Sequence, residues 1–160
     1  GIQNEPVKVI DHYKENDKVM SYLGALIEEL ATNVKNINEN WNQIKNEFVN
    51  SVDNTASSNL NMMVNDFIYY YEKGFRANKF GIPAGVFSGG PLPDRVEGFY
   101  SKSFSKLLAL EAMTSIRKFF NGESYLDEDL KGFGLKSYLD FVEKDKEELL
   151  SDKINAQLID

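Results

Sequence analysis

The sequence predicts an all-α fold, an up-and-down bundle of four main helices with a long Gly/Pro-rich loop between helices two and three. Apolar residues recur at spacings of three and four along several long segments, as they do on one face of a helix. The alternation of apolar and polar residues that marks strands is absent over any useful length. With 160 residues, of which 42% are hydrophobic, residues 1–160 are expected to form a single helical-bundle domain.

The first main helix is predicted over residues 19–52. Its apolar positions form one continuous stripe, while the other faces carry mainly Asn, Lys and Glu. We expect this stripe to form one wall of a bundle, because Trp41 and Phe48 are bulky for the seam of a two-stranded coiled coil. The stripe consists of Val19, Leu23, Leu26, Leu30, Val34, Ile37, Trp41, Ile44, Phe48 and Val52.

A second helix is predicted over residues 58–78, after a break at residues 53–58 that is rich in helix-capping residue types. Three consecutive tyrosines, Tyr69, Tyr70 and Tyr71, lie near its middle and must face three directions. They indicate either an amphipathic rim or a binding surface.

The stretch from Phe80 to Ser101 separates the two pairs of helices. It holds three of the four prolines and five of the eleven glycines, which disfavours a continuing helix. A third helix is predicted from Pro93 or Asp94 to Phe120, with Gly122 just beyond its end. A fourth helical region is predicted over residues 135–158, with room for a break near residues 144–146.

The composition excludes several classes of protein. A formal net charge of −7, without a basic stripe, opposes binding to nucleic acid. The absence of cysteine rules out disulfides, thiolate metal sites and a cysteine nucleophile. No apolar run approaches the roughly 18 residues of a membrane span, so we expect no transmembrane segment.

The single histidine limits the catalytic chemistry that the chain could perform. His12 and Glu15 stand three residues apart, which could place both on one face of a helix. Two ligands are too few for a metal site, so the pattern favours a surface histidine.

A group of charged residues, Asp94, Arg95 and Glu97, lies where the Gly/Pro-rich loop meets the predicted third helix. Free backbone N–H groups at such a helix start could bind a carboxylate or a small anion. The alternative is that Asp94 or Glu97 caps the helix and that Arg95 pairs locally.

The same stretch carries a distinctive order of residues. Ile82-Pro83-Ala84-Gly85-Val86-Phe87-Ser88-Gly89-Gly90 is followed by Pro93 and then by Val96-Glu97-Gly98-Phe99-Tyr100-Ser101. A Leu-rich helix with a tryptophan precedes it, and Phe120-Asn121-Gly122 and Gly134-Leu135 follow it. This order resembles the imelysin family, whose second half has an Ile-Pro-x-Gly…Ser-Gly…Pro…Val-Glu-x-x-Tyr-Ser passage between two helices. The resemblance covers nearly the whole chain and identifies it as the C-terminal half of an imelysin-like protein.

The resemblance implies two tandem helical bundles in the bacterial cell envelope, as a periplasmic protein or an outer-membrane lipoprotein, with a link to iron acquisition. The site would lie between the bundles, so the implied partner is the N-terminal helical bundle of the same protein, together with a small ligand or metal. The family is classed as metallopeptidases because of a Gly-x-His-x-x-Glu motif in its first half. Ile10 replaces the glycine here, so enzyme activity stays open and no catalytic or metal-binding residue is assigned. The cofactor also stays open, with iron or zinc as candidates for the full-length protein.

Carried over position by position, the resemblance implies that Pro83 and Gly85 shape the loop. Ser88 belongs to the same loop, and the residues from Glu97 onward would face the site between the bundles, with Arg95 or Glu97 supplying charge. The implied ligand-binding residues are Ser88, Arg95, Glu97, Tyr100 and Ser101.

Three functions follow as expectations. The first is the ligand-binding half of an envelope protein associated with iron acquisition. The second is an imelysin-type metallopeptidase domain, which requires a histidine–glutamate site. The third is a helical interaction module without a small-molecule role, which predicts no pocket and an exposed apolar patch around residues 69–71 or the Gly/Pro-rich loop.

Overall fold

The computed structural model describes residues 6–53, 55–99, 102–127 and 129–158, and it confirms the all-α prediction. Over these residues there is no strand, only an isolated antiparallel bridge between Glu123 and Lys131. The chain divides into two compact units, Gly1–Tyr70 and Tyr71–Asp160. The single domain and the up-and-down arrangement of four helices stay predictions. The helices are α1 (Pro6–Lys14), α2 (Asp17–Asn50), α3 (Asn59–Tyr69), a π-helix (Tyr70–Gly81), the single turn α4 (Ile82–Ala84), a 3-10 turn (Pro93–Arg95), α5 (Lys102–Asn121), α6 (Leu135–Val142) and α7 (Leu150–Gln157).

The first unit is dominated by α2, which has 34 residues and is about 50 Å long at 1.5 Å per residue. Asn16 caps its N-terminus, because the side-chain oxygen accepts a hydrogen bond from the Val19 backbone N–H at 3.3 Å. The helix ends two residues earlier than predicted. Its apolar stripe contains no buried residue, and Leu30 and Ile37 are 66% and 68% exposed. Within the first unit these side chains are not buried, so the bundle wall that the periodicity predicts stays a prediction.

The prediction of one continuous α-helix over residues 58–78 is wrong, because α3 passes into a π-helix at Tyr70. In a π-helix each backbone N–H bonds five residues back instead of four, so side chains five apart share a face. The rings of Phe75 and Phe80 accordingly lie edge to face, with centroids 5.3 Å apart. The apolar stripe of an α-helix would not bring these two residues together. The π register therefore sets the apolar face at the start of the second unit.

The Gly/Pro-rich loop is folded back on itself. Gly85 ends α4 in the left-handed conformation, with φ of 80°, and the Leu92 N–H donates to the Pro83 carbonyl at 2.8 Å. The third main helix begins at Lys102, so its predicted start at Pro93 or Asp94 is wrong. Pro93 begins only a 3-10 turn, which ends at Arg95. Gly98, with φ of 70°, then stops the chain from continuing as a helix.

The second unit holds the buried apolar core of the described chain, in which α5 packs on α6 and α6 packs on α7. Gly122, with φ of 70°, follows the end of α5, as the sequence predicts. The predicted break in the fourth helical region is confirmed between α6 and α7. The buried apolar residues are Phe75, Ala77, Ile116, Phe120 and Leu158.

Candidate functional site

A cavity of about 550 Å³ lies within the second unit. One side comes from the π-helix, another from the segment that follows the 3-10 turn, and a third from α5. Its volume falls in the range of small-molecule sites, which is roughly 300–1,000 Å³. The cavity is lined by Phe75, Lys79, Phe80, Val96, Glu97, Ser105, Lys106, Ala109, Leu110, Met113 and Leu158.

The π-helix supplies the aromatic part of the lining. Phe75 is only 8% exposed, and its ring contacts both Tyr71, at a centroid distance of 5.9 Å, and Phe80. Such offset and edge-on aromatic pairs hold large apolar side chains in defined positions. Outside the cavity, Arg76 donates to Glu72 at 2.7 Å on the exposed face. The π-helix thus has one charged face and one aromatic face toward the cavity.

An ion pair between Lys79 and Glu97 joins two walls of the cavity. The Lys79 side chain is mostly buried, at 13% exposed, whereas the Glu97 side chain is 52% exposed. A lysine so withdrawn from water requires an acidic or hydrogen-bonding partner, because an unpaired buried ammonium is costly. Glu97 meets that requirement from a segment 18 residues further along the chain.

The backbone of Glu97 is itself fixed to α5. The Ser105 hydroxyl donates to the Glu97 carbonyl at 2.7 Å, across the turn at Gly98. This hydrogen bond ties the segment carrying the carboxylate to the first turns of the helix that forms the third wall. The position of the Glu97 side chain is therefore set by the fold on both sides of the turn.

Comparison with known proteins decides the family. The family model described as Imelysin, a peptidase family, matches residues 5–160. The chain belongs to the imelysin family. No curated protein and no solved structure gives a match. The resemblance inferred from the Gly/Pro-rich stretch is thereby confirmed at the level of the family, while its assignment to the C-terminal half stays a prediction.

The site residues that the imelysin resemblance implies occupy different positions. Glu97 lines the cavity and pairs with Lys79. Arg95 is exposed and lies 3.9 Å from the Asp94 carboxylate, and it does not line the cavity. The Ser88 hydroxyl donates to the Gly90 carbonyl at 2.8 Å, inside the Gly/Pro-rich loop. Their ligand-binding roles stay predictions, as do those of Tyr100 and Ser101, which lie outside the described residues.

The two loop-shaping residues have clear structural positions in this imelysin chain. Pro83 is buried, and its carbonyl accepts the hydrogen bond that closes the loop at Leu92. At Gly85 a side chain would collide with backbone, since a Cβ atom would lie 2.1 Å from the Gly90 carbonyl oxygen. Only glycine fits both the positive φ and this close approach.

Sequence reasoning missed Lys79 and Lys106, the two basic residues of the cavity. Lys79 lies one residue beyond the predicted second helix, so its place in the lining follows only from the helix continuing to Gly81. Lys106 gives no signal either, since it reads as an ordinary solvent-facing lysine of α5. Lys106 and Glu97 line the same cavity because the chain turns before α5, in a segment for which the sequence predicts helix.

A second polar cluster lies where α6 meets α7. Ser151, which is fully buried, donates to Asp140, and Lys136 bonds Asp140 at 3.0 Å. The Ser151 hydrogen bond, followed by that of Lys136, lowers the pKa of Asp140. Glu143 accepts from the Leu150 backbone N–H at 2.7 Å and so caps α7.

The pKa of Glu143 is also lowered, first by its hydrogen bond with Lys146 and then by the one from Leu150. These contacts satisfy every charged member of the cluster with partners on α6, α7 or the turn between them. The cluster therefore holds α6 and α7 together, and it contributes no residue to the cavity lining.

The described parts of the chain contain neither a metal-binding group nor a membrane helix. No group of three or more His, Cys, Asp and Glu side chains among these residues is arranged to hold a metal ion. His12 is exposed on α1, as the sequence predicts, with its ring beside Tyr13. None of the described helices combines the length and apolar character needed to cross a membrane.

Proposed function

We propose that this chain is the ligand-binding part of an imelysin-family protein of the bacterial cell envelope that takes part in iron acquisition. A small ligand would occupy the cavity of the second unit, beside the Lys79–Glu97 ion pair. The observation that carries the proposal is the meeting of a largely apolar cavity with this partly buried pair of charges. Apolar walls with a few convergent polar groups are the usual composition of a small-molecule site.

The ion pair makes the cavity suitable for a small ligand with an apolar part. Lys79 is mostly buried and Glu97 neutralises it, so a ligand can cover the lysine without leaving a buried ammonium unpaired. Because the pair joins the π-helix to the segment leading to α5, loss of Glu97 would both unpair Lys79 and release this wall of the cavity.

The proposal includes a second helical bundle of the same protein as partner, and a periplasmic or lipoprotein location. Family membership supports these parts, since the resemblance implies them together. The exposed apolar stripe of α2 also supports the partner bundle, because exposed apolar patches of this extent usually mark an interaction surface. Iron would reach the site as part of the ligand or through groups supplied by the partner bundle.

The intact protein provides the test. It would be purified from cells grown with and without iron limitation, and native mass spectrometry would measure small molecules that remain bound. We expect a bound ligand, and we expect Glu97→Ala to lose it while circular dichroism stays unchanged. Glu72→Ala is the matched control, because Glu72 is an exposed acid of the same unit that pairs with Arg76 and does not line the cavity. No bound ligand under either condition, or equal loss in both variants, would refute the proposal.

The alternative of a helical interaction module is favoured by exposed apolar side chains in the two regions where it predicts them. Tyr69 and Tyr70 are 68% and 46% exposed, and Val86 and Phe87, in the Gly/Pro-rich loop, are 68% and 64% exposed. That alternative also predicts the absence of a pocket, whereas the second unit contains one. The interaction module would be favoured if Phe87→Ser weakened the contact between this chain and the second helical bundle. In that case Glu97→Ala should leave both that contact and ligand binding unchanged.

A further inference from the structure

We propose that the ligand of this cavity is an amphipathic anion, an apolar body with a single carboxylate, and that Lys106 binds the carboxylate. The inference rests on the proposed ligand-binding function and names the chemical class of the ligand. It follows from three features of the cavity: the apolar residues of its interior, the balance of its charges and the position of Lys106 at its rim.

The interior selects an apolar body. Phe75 and Leu158 are buried, Met113 is half-buried, and Ala109 leaves space beside them on α5. A methionine adapts its shape to an irregular apolar guest. Each methylene that the ligand transfers from water to this interior should tighten binding about fourfold. The body of the ligand therefore supplies most of the affinity.

The charges of the lining select an anion. Three ionisable side chains line the cavity, and two of them, Lys79 and Glu97, already pair with each other. Lys106 is the third, and none of the acidic side chains that the structure describes pairs with it. A cationic ligand would meet two ammonium groups and a carboxylate that is already engaged. An anionic ligand instead gives Lys106 a partner and brings the charges of the site to balance.

The position of Lys106 sets the orientation of the ligand. The residue is exposed although it lines the cavity, so it lies at the rim. Lysine side chains commonly lay their methylenes along apolar surface and keep the ammonium in water. The carboxylate would accordingly stay at the mouth, and the apolar body would extend toward Phe75 and Leu158. Because the ion pair forms at a solvated rim, it should contribute no more than about fivefold in affinity.

The experiment is calorimetric titration of the intact protein with octanoate, decanoate, decan-1-ol and decylamine. We expect decanoate to bind about fifteenfold more tightly than octanoate, from two further buried methylenes. Decanoate should also bind more tightly than decan-1-ol, with decylamine the weakest of the three ten-carbon probes. The preference for decanoate over decan-1-ol should disappear in Lys106→Gln. Lys73→Gln is the matched control, because Lys73 is an exposed lysine of the π-helix outside the cavity.

A second variant locates the bound probe. Ala109→Leu fills part of the cavity and should weaken all ten-carbon probes, because the added side chain takes up the space of the apolar body. Equal binding of decanoate and decan-1-ol, or an unchanged preference in Lys106→Gln, would overturn the inference. Binding that Ala109→Leu leaves unchanged would overturn it as well. If any of these results were found and a native ligand still remained bound to the purified protein, the proposed function would hold and only the ligand class would be wrong.

Discussion

Substituting Gly85 by alanine tests whether the Gly/Pro-rich loop is a rigid part of the structure. Gly85 has φ of 80°, and a Cβ atom there would lie 2.1 Å from the Gly90 carbonyl oxygen, 2.2 Å from its carbonyl carbon and 2.7 Å from the Pro91 nitrogen. These are backbone atoms, so no side-chain rotation can relieve the contact. The loop would have to open, and the hydrogen bond from Leu92 to Pro83 would be lost.

Two neighbouring glycines separate the causes of the expected loss. Gly89 has φ of 76°, and a Cβ atom added there would meet no atom within 4 Å, so Gly89→Ala measures backbone strain alone. Gly90 has neither a positive φ nor a close atom, so Gly90→Ala measures the substitution itself. We expect almost no loss at Gly90 and about 1 kcal/mol at Gly89. At Gly85 the strain and the steric overlap together should cost about 2–4 kcal/mol.

The assay combines urea denaturation, followed by circular dichroism, with hydrogen exchange at the Leu92 amide. Denaturation reports the free energy of unfolding, and exchange at Leu92 reports local opening of the loop even where the rest of the protein stays folded. Gly85→Ala should accelerate exchange at Leu92 far more than Gly89→Ala does. Equal exchange rates and equal unfolding free energies in these two variants would refute the argument, because they would show that the loop accommodates a side chain at Gly85.

Three further predictions concern the core, the cavity wall and the pH dependence. Ile116→Ala, at a residue only 2% exposed, should lower the unfolding free energy in urea by about 2–4 kcal/mol, whereas Leu107→Ala, 54% exposed on the same helix, should change it little. Ser105→Ala should weaken ligand binding by freeing the Glu97 segment, measured by calorimetry. Ser115→Ala, which removes a hydroxyl bonded only within α5, should not. The folded-state pKa of Glu143 is lowered from its ordinary 4.5, so its carboxylate stabilises the fold above that pH. This contribution to the free energy of unfolding is lost as the pH falls through the lowered pKa, and in acid denaturation Glu143→Gln should reduce the loss.

The sequence predicts helices well where their signals are local. The bounds of α2 differ from the prediction by only two residues at each end, because a long apolar period identifies most of the helix. The cap at Asn16 sets its observed start. The start of α5 is predicted eight or nine residues too early. Pro93 is a helix-start signal, but Gly98 with its positive φ stops that helix, and the Ser105 hydroxyl of α5 donates to the Glu97 carbonyl across the resulting turn.

The candidate site is harder to predict, because its parts are distant in sequence. Glu97 is singled out by its place after the Gly/Pro-rich loop, and it does line the cavity. Its partner Lys79 is 18 residues away, and nothing in the sequence between them specifies that they meet. Ser88 and Arg95 share the same stretch of sequence as Glu97, yet neither lines the cavity. Nearness in sequence therefore gives the region of the site and not its members.

The π-helix brings three residues of one short segment, Phe75, Lys79 and Phe80, into the cavity lining. Five residues of α-helix turn by about 500°, which would place Phe80 roughly 140° around the axis from Phe75. In the structure the two rings touch, and both line the cavity together with Lys79. An α-helical register over the same residues would remove one aromatic wall and rotate the ammonium relative to Glu97. π-helical turns are rare and are often found at functional sites, so the register supports the ligand-binding role proposed for this wall.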